Sequence, residues 1–166
     1  QYPESTDLRD LLRFAAQDGF IWLGEHRMVL MHAGALAELR KELIESVGQE
    51  QARRILTRMG FASGMRDAEL ARRTRGAGDL ADAFVVGPQL HMLEGCARVE
   101  PARLELDPPK NGLYGEFPWH NAWEAEAHVH CFGEAKEPAC WMMIGHASGY
   151  TSAFLGRFIL LRAPAC

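Results

Sequence analysis

The chain has 166 residues, 48% of them hydrophobic and 24% charged, which suits one globular domain with a real core and excludes a disordered or fibrous segment. A formal net charge of −4, with arginines scattered among Asp and Glu, excludes the basic stripe of a nucleic-acid surface, so Arg53-Arg54 and Arg72-Arg73 are read as solvated helix faces. No apolar run reaches the ~20 residues of a membrane span, and QYPESTDLRD has no signal-peptide core; a soluble, cytoplasmic chain is expected, its Gln1 start being that of a fragment or processed chain.

In chain order, STDLRDLLRFAA predicts a short amphipathic helix, with Ser5, Thr6 or Asp7 as N-cap, Leu8, Leu11, Leu12 and Ala15 as its apolar face, and Gly19 as its stop. FIWLG and RMVLMH read as two strands of a hairpin around Gly24-Glu25. In GALAELRKELIESVG, the residues Leu36, Leu39, Leu43, Ile44 and Val47 share a helical face that Gly48 ends. The same period through Ile55, Met59, Ala62 and Leu70 predicts a long helix, with Gly60 and Gly64 as its candidate breaks.

After RGAGD, the segment LADAFVVGPQLHML is helical as far as Gly87-Pro88, and beyond it the period changes to two. CARVEPARLELD alternates through Leu104 and Leu106, and PPKNG carries the hairpin signal Asn111-Gly112. LYGEFPW puts Leu113, Phe117 and Trp119 on one strand face, with Pro118 favouring an edge or a bulge. Asn121 and Glu124 have capping-box spacing for a helix AWEAEAHVHCFG, closed by Gly133. Pro138 suits the first turn of PACWMMIGHASGYTSAFLG, which Gly156 ends, and RFILLRA predicts a final strand. The small residues Gly145, Ala147, Ser148, Gly149 and Ser152 would let a neighbouring element pack closely on that helix. The expected class is α+β, a mostly antiparallel sheet with surrounding helices.

GxxxxGK[ST], GxSxG and HExxH are all missing. A nucleophilic pair of Cys131 or Cys140 with a histidine is one of many chance pairings among four cysteines and seven histidines. Cys96, Cys131, Cys140 and Cys166 include no CxxC and are read as thiols or metal ligands rather than disulfides. Cys140 opens a helix and Cys166 follows a strand, and HVHC adds His128, His130 and Cys131; the spacing allows a zinc site and equally allows isolated thiols and surface imidazoles. His91 stands in an apolar run, either as a core residue bonded to a backbone carbonyl or, with the indole of Trp119, as a polar contact in a pocket for a small apolar ligand.

IWLGEHRM, GFASGMRDAELAR, VGPQLHML, CWMMIGHASGYTSAFLGR and the closing segment, in this order, resemble the amino-terminal sensory domain of the aromatic-responsive, σ54-dependent activators of the XylR, DmpR and MopR group. The resemblance covers nearly the whole chain. It implies a single ligand-sensing domain over residues 1–166 with a vinyl-reductase-like fold, a homodimer formed largely through residues 1 to about 32, and no direct nucleic-acid or membrane contact. The ATPase domain that such a sensor represses, and the DNA-binding domain, would be absent from this chain.

The resemblance also implies a buried pocket for a monocyclic aromatic, with phenol favoured and benzene or toluene next. His91 matches the effector-binding histidine of the phenol responders and Trp119 their indole partner, while Phe84, Leu93, Phe117, Ile144, Tyr150 and Leu161 match the wall. Xylene responders carry a tyrosine at the place of His91, which favours phenols here. A structural Zn2+ is implied at Cys140 and Cys166, but the acidic ligand of the family is replaced by Ala163 and its last cysteine falls beyond Cys166. The sensor is therefore expected not to be an enzyme; the alternative from another class is a small zinc-dependent enzyme acting on an aromatic substrate.

Overall fold

The computed structural model describes residues 8–75, 80–100, 102–107 and 112–164. A 3-10 turn (Leu8–Leu11) leads into strand β1 (Leu12–Ala15), and after a second 3-10 turn the chain forms β2 (Phe20–Leu23) and β3 (His26–Met28). The three pair antiparallel in the order β1-β2-β3, with Phe14 opposite Ile21 and Ile21 opposite Met28. The hairpin at Gly24-Glu25 is thus formed, but the amino-terminal helix is not. Pairing along the free edge of β2 outweighs the helical spacing of Leu8, Leu11, Leu12 and Ala15, of which Leu8 alone is fully buried. The caps read at Ser5, Thr6 and Asp7 lie outside the described residues. The second hairpin strand stops at Met28, and Val29, Leu30 and Met31 are 73, 82 and 53% exposed.

Helix α1 (Ala33–Val47) ends at Gly48, whose φ of +80° turns the chain into α2 (Gln49–Arg75). No glycine breaks α2. Its buried face runs through Ala52, Leu56, Gly60, Gly64, Ala68 and Ala71, and Met59 and Ala62 of the expected stripe are exposed. The reason is the helix it faces, α6 (Trp141–Leu155). A Cβ on Gly60 would lie 1.9 Å from the carbonyl oxygen of Met142, and one on Gly64 2.0 Å from that of His146. A Cβ on Gly145 or Gly149 of α6 would likewise lie 2.2 Å and 2.0 Å from the carbonyl oxygens of Thr57 and Phe61. Two backbones meet where four side chains are missing, and this is the most extensive helix contact among the described residues. The small residues of α6 do receive a close neighbour, as their spacing predicts.

After α3 (Leu80–Phe84), α4 (Val86–Leu93) runs past the expected end at Gly87-Pro88. Pro88 falls in the first turn, where its missing N–H has no intrahelical acceptor to lose. Strands β4 (Arg98–Val99) and β5 (Arg103–Asp107) pair antiparallel with β7 (Trp119–His120) and β6 (Gly112–Glu116) respectively. The turn read at Asn111-Gly112 straddles the boundary of the described residues, although Asp107 does face Gly112. Pro118 sits between β6 and β7, outside both. The described residues thus build a mixed helix and sheet fold with three small antiparallel sheets.

Helix α5 (Trp123–Phe132) does not use the expected capping box. Its cap position is Ala122, Asn121 has a φ of +54°, and the Glu124 carboxylate instead accepts the N–H groups of Met142 and Met143 at 2.9–3.1 Å. Glu124 therefore caps not its own helix but the next one, α6, and places charge at its positive end. Gly133 and Gly156 close α5 and α6 as expected. The final strand RFILLRA is not formed. Residues 157–163 are held by serine hydroxyls: Ile159 N–H donates to Ser152 Oγ at 2.8 Å and Leu161 N–H to Ser148 Oγ at 3.0 Å. Those two bonds do what a neighbouring strand would otherwise do. No helix among the described residues is long and apolar enough to cross a membrane.

Candidate functional site

Between α4, α6, the β6–β7 connection and the carboxy-terminal segment lies a cavity of about 1060 Å³. α4 supplies His91, α6 supplies Ile144 and Tyr150, the strands supply Phe117 and Trp119, and Phe84 and Leu161 come from the two flanks. Its outer rim carries exposed Glu116, His130 and Arg162. Seven of the eight side chains matched to the pocket thus meet around one space. Leu93 is the exception: two residues past His91, it stands roughly 200° further round α4 and packs against the core of Leu8, Leu23 and Leu90.

The aromatic wall is mutually braced. Phe84 meets Tyr150 edge-on with ring centres 5.5 Å apart and lies 6.4 Å from Phe117. The Tyr150 hydroxyl donates to the carbonyl oxygens of Phe84 at 3.0 Å and Ala83 at 3.2 Å, so it is spent on the fold. A Cβ on Gly87 would come within 2.6 Å of that ring, which is why the helix carries glycine there.

His91 is different. It is 6% exposed, and neither ring nitrogen meets a hydrogen-bond partner among the described residues. Burial first, and then His146 with its ring centre 4.2 Å away, pull His91 down to about 3, so at neutral pH it is an uncharged imidazole with one donor and one acceptor. Trp119 stands edge-on to it at 6.0 Å and 82°. An imidazole bonded to a backbone carbonyl, the ordinary reading of a core histidine, is not what the geometry gives. His146 shares the site but is anchored, its Nε2 being 2.6 Å from Asp67 Oδ2.

The donors considered for zinc do not converge into a metal-ligating group among the described residues. Cys140 is buried on the cavity wall with Ala163, which has no donor atom, and Cys166 lies outside the described residues. His128 is turned away to Arg40, with Nδ1 and Nη1 3.0 Å apart, and His130 is exposed. One group of three metal-ligating side chains does converge among the described residues: His91, Glu94 and Cys96, with ligand atoms all within 4.8 Å of one another. Burial, and then Asp67, push Glu94 up to about 8, and burial pushes Cys96 up to about 12. The sequence reading missed this group, though the spacing His-x-x-Glu-x-Cys at a helix end was there to be found.

Sequence reading also missed Arg40. It is 2% exposed, its Nε lies 3.6 Å from Glu124 Oε1, its Nη2 donates to the Ala139 carbonyl at 3.0 Å, and its guanidinium lies 4.2 Å from the centre of the Trp141 ring. One side chain thereby ties α1, α5 and the start of α6, and so fixes the approach to Cys140.

Residues 7–107, well over half of the chain, match a family profile described as activator of aromatic catabolism. The chain belongs to this family. Among activators of aromatic catabolism it is 41% identical, over its whole length, to the phenol regulator MopR of Acinetobacter guillouiae, and 38% identical to the transcriptional regulatory protein XylR of Pseudomonas putida. It spans about 30% of the length of each of these relatives. Its fold matches the crystal structure of the phenol-responsive sensory domain of the transcription activator PoxR with phenol, with a TM-score of 0.92 at 46% identity, over 96% of this chain and 79% of that one.

Proposed function

We propose that this chain is the aromatic-sensing domain of a transcriptional activator, with a phenol as favoured effector and benzene or toluene next. The observation that carries the reading is His91: an uncharged imidazole with two unmet ring nitrogens beside a cavity walled by Phe84, Phe117, Trp119, Ile144, Tyr150 and Leu161. An unmet buried polar group costs about 1–3 kcal/mol, and a phenolic hydroxyl relieves that cost while its ring takes the apolar wall. The names of MopR and PoxR, both tied to phenol, support the choice. A sensor returns its effector unchanged. Its work is to bind one conformation better than another, and that differential affinity is what would release a downstream σ54-dependent ATPase in the full-length activator.

A cytoplasmic location and a homodimer go with this reading, the latter supported by the exposed apolar run Val29-Leu30-Met31 within the amino-terminal segment. For a structural zinc, Cys140 and Cys166 would be the ligands, with no acidic side chain at Ala163 to join them.

Calorimetric titration of the parent chain and His91→Ala with phenol and benzene tests the reading. Phenol affinity is expected to fall by about 1–3 kcal/mol more than benzene affinity. Equal losses would reduce His91 to packing and remove the reason for preferring a phenol.

A further inference from the structure

A phenolic hydroxyl can meet one nitrogen of His91 and no more, yet neither has a partner among the described residues. His91 and His146 also line a second cavity of about 110 Å³ between α2, the end of α4 and α6, whose wall includes Glu94, Cys96, Met142 and Met143. This space is small, and it is lined by two imidazoles, a carboxylate, a thiol and three thioethers, with Met59 and Ser63 reaching the surface.

The end of α4 builds it. Glu94 N–H donates to the Leu90 carbonyl at 2.8 Å, Gly95 N–H to that of Met92 at 3.2 Å, and Cys96 N–H to that of His91 at 2.9 Å, while Gly95 takes a φ of +74°. This closed turn gathers the side chains of residues 91, 94 and 96 in one place without help from the rest of the chain. The carbonyl end of a helix also favours positive charge.

We propose that His91, Glu94 and Cys96 form a binding site for a divalent cation of the zinc class, which takes the His91 nitrogen that an effector leaves free. Imidazole, carboxylate and thiol are the three donor types zinc accepts, and their ligand atoms already lie within 4.8 Å of one another. His146 lines the same cavity, and its buried Nδ1 has no partner among the described residues, which makes it a further candidate donor. The site is separate from Cys140, which lines only the larger cavity. A cation there would fix the tautomer and tilt of His91, as groups around a metal commonly do for one another. That coupling, unlike the site itself, rests on the effector reading above.

The test uses the 166-residue chain without effector, loaded with zinc for elemental analysis and titrated with Co2+, whose thiolate charge-transfer absorption reports a sulfur ligand. Cys96→Ser is expected to lose one equivalent of metal and the matching share of absorption, whatever Cys140→Ser does. Glu94→Gln, which keeps shape and hydrogen bonding, should weaken Co2+ binding by on the order of tenfold or more and serves if Cys96→Ser fails to fold. Unchanged stoichiometry and affinity in the folded variant, or no metal bound by the parent chain, would overturn the site. Phenol titration with and without zinc is then read separately: a failure there touches the coupling and leaves the metal count standing.

Discussion

Replacing Gly64 by Ala puts a methyl group where α2 and α6 leave no room. The new Cβ would lie 2.0 Å from the His146 carbonyl oxygen and 2.8 Å from both the His146 carbonyl carbon and the Tyr150 nitrogen, and ordinary contact begins at 3.4 Å. Every atom in the way is helix backbone, so no rotamer change relieves it and the helices must part. Alanine in place of glycine favours the helix by about 1 kcal/mol; overpacking a well-filled interior costs about 1–3 kcal/mol and sometimes more. The clash here runs along a seam that three further glycines share, which puts its cost at the upper end, a net loss of about 2 kcal/mol. In a chain of this size that lowers the melting temperature by about 4–8 °C. Effector affinity should fall with it, since Ile144 and Tyr150 ride on α6. Gly34→Ala is the control, because the space around Gly34 in α1 is open and only the helix gain remains. Urea unfolding at unchanged m-value reads the difference. If Gly64→Ala proves as stable as Gly34→Ala, the seam is not the rigid contact described.

Arg40→Met should cost about 3–5 kcal/mol, because it leaves the buried Glu124 carboxylate with the N–H groups of α6 but without its counter-charge; thermal unfolding within about 1 kcal/mol of the parent would show that the pair is not needed. Burial, then Arg40, lower His128 from the ordinary value of 6.5, so the folded state prefers the neutral ring. The stability this contributes is present above 6.5 and is lost as the pH falls below it, a slope to which His91, also lowered, adds. The urea midpoint should therefore drop on acidification, and less steeply in His128→Asn, which keeps an acceptor but cannot titrate; identical slopes in the two proteins would refute the assignment.

Much of the architecture was legible because it rests on local rules. Gly48, Gly133 and Gly156 end the helices that periodicity proposes, and Gly24-Glu25 turns a hairpin between apolar runs. What escaped depends on distant partners. Arg40 reads as a solvent-facing residue of an amphipathic helix until Glu124, far along the chain, is brought to it. Glu124 reads as a local cap until α6 presents its free N–H groups. The buried face of α2 departs from the expected stripe at Met59 and Ala62 because glycine scores as little in a hydrophobic count, yet it decides how near two backbones can come. At the site, the spacing and resemblance that singled out His91 and Trp119 could not show that Leu93 would face the opposite side of α4, nor that Glu94 and Cys96 would join His91.

The segment carrying Leu161 is fastened to α6 through Ser148 and Ser152, not by a strand ladder. Such bonds are worth roughly 0.5–1.5 kcal/mol each, whereas Ile144 and Tyr150 belong to α6 itself, whose backbone interlocks with that of α2. The cavity thus has a stiff side and a compliant side. A ring bearing one more substituent would be taken in by displacing Leu161 and leaving Ile144 and Tyr150 where they are, so the fit at His91 can stay constant while the tolerated width varies. If a ring occupies this cavity as proposed, the serine clasp that holds Leu161 is the part of the wall expected to yield first.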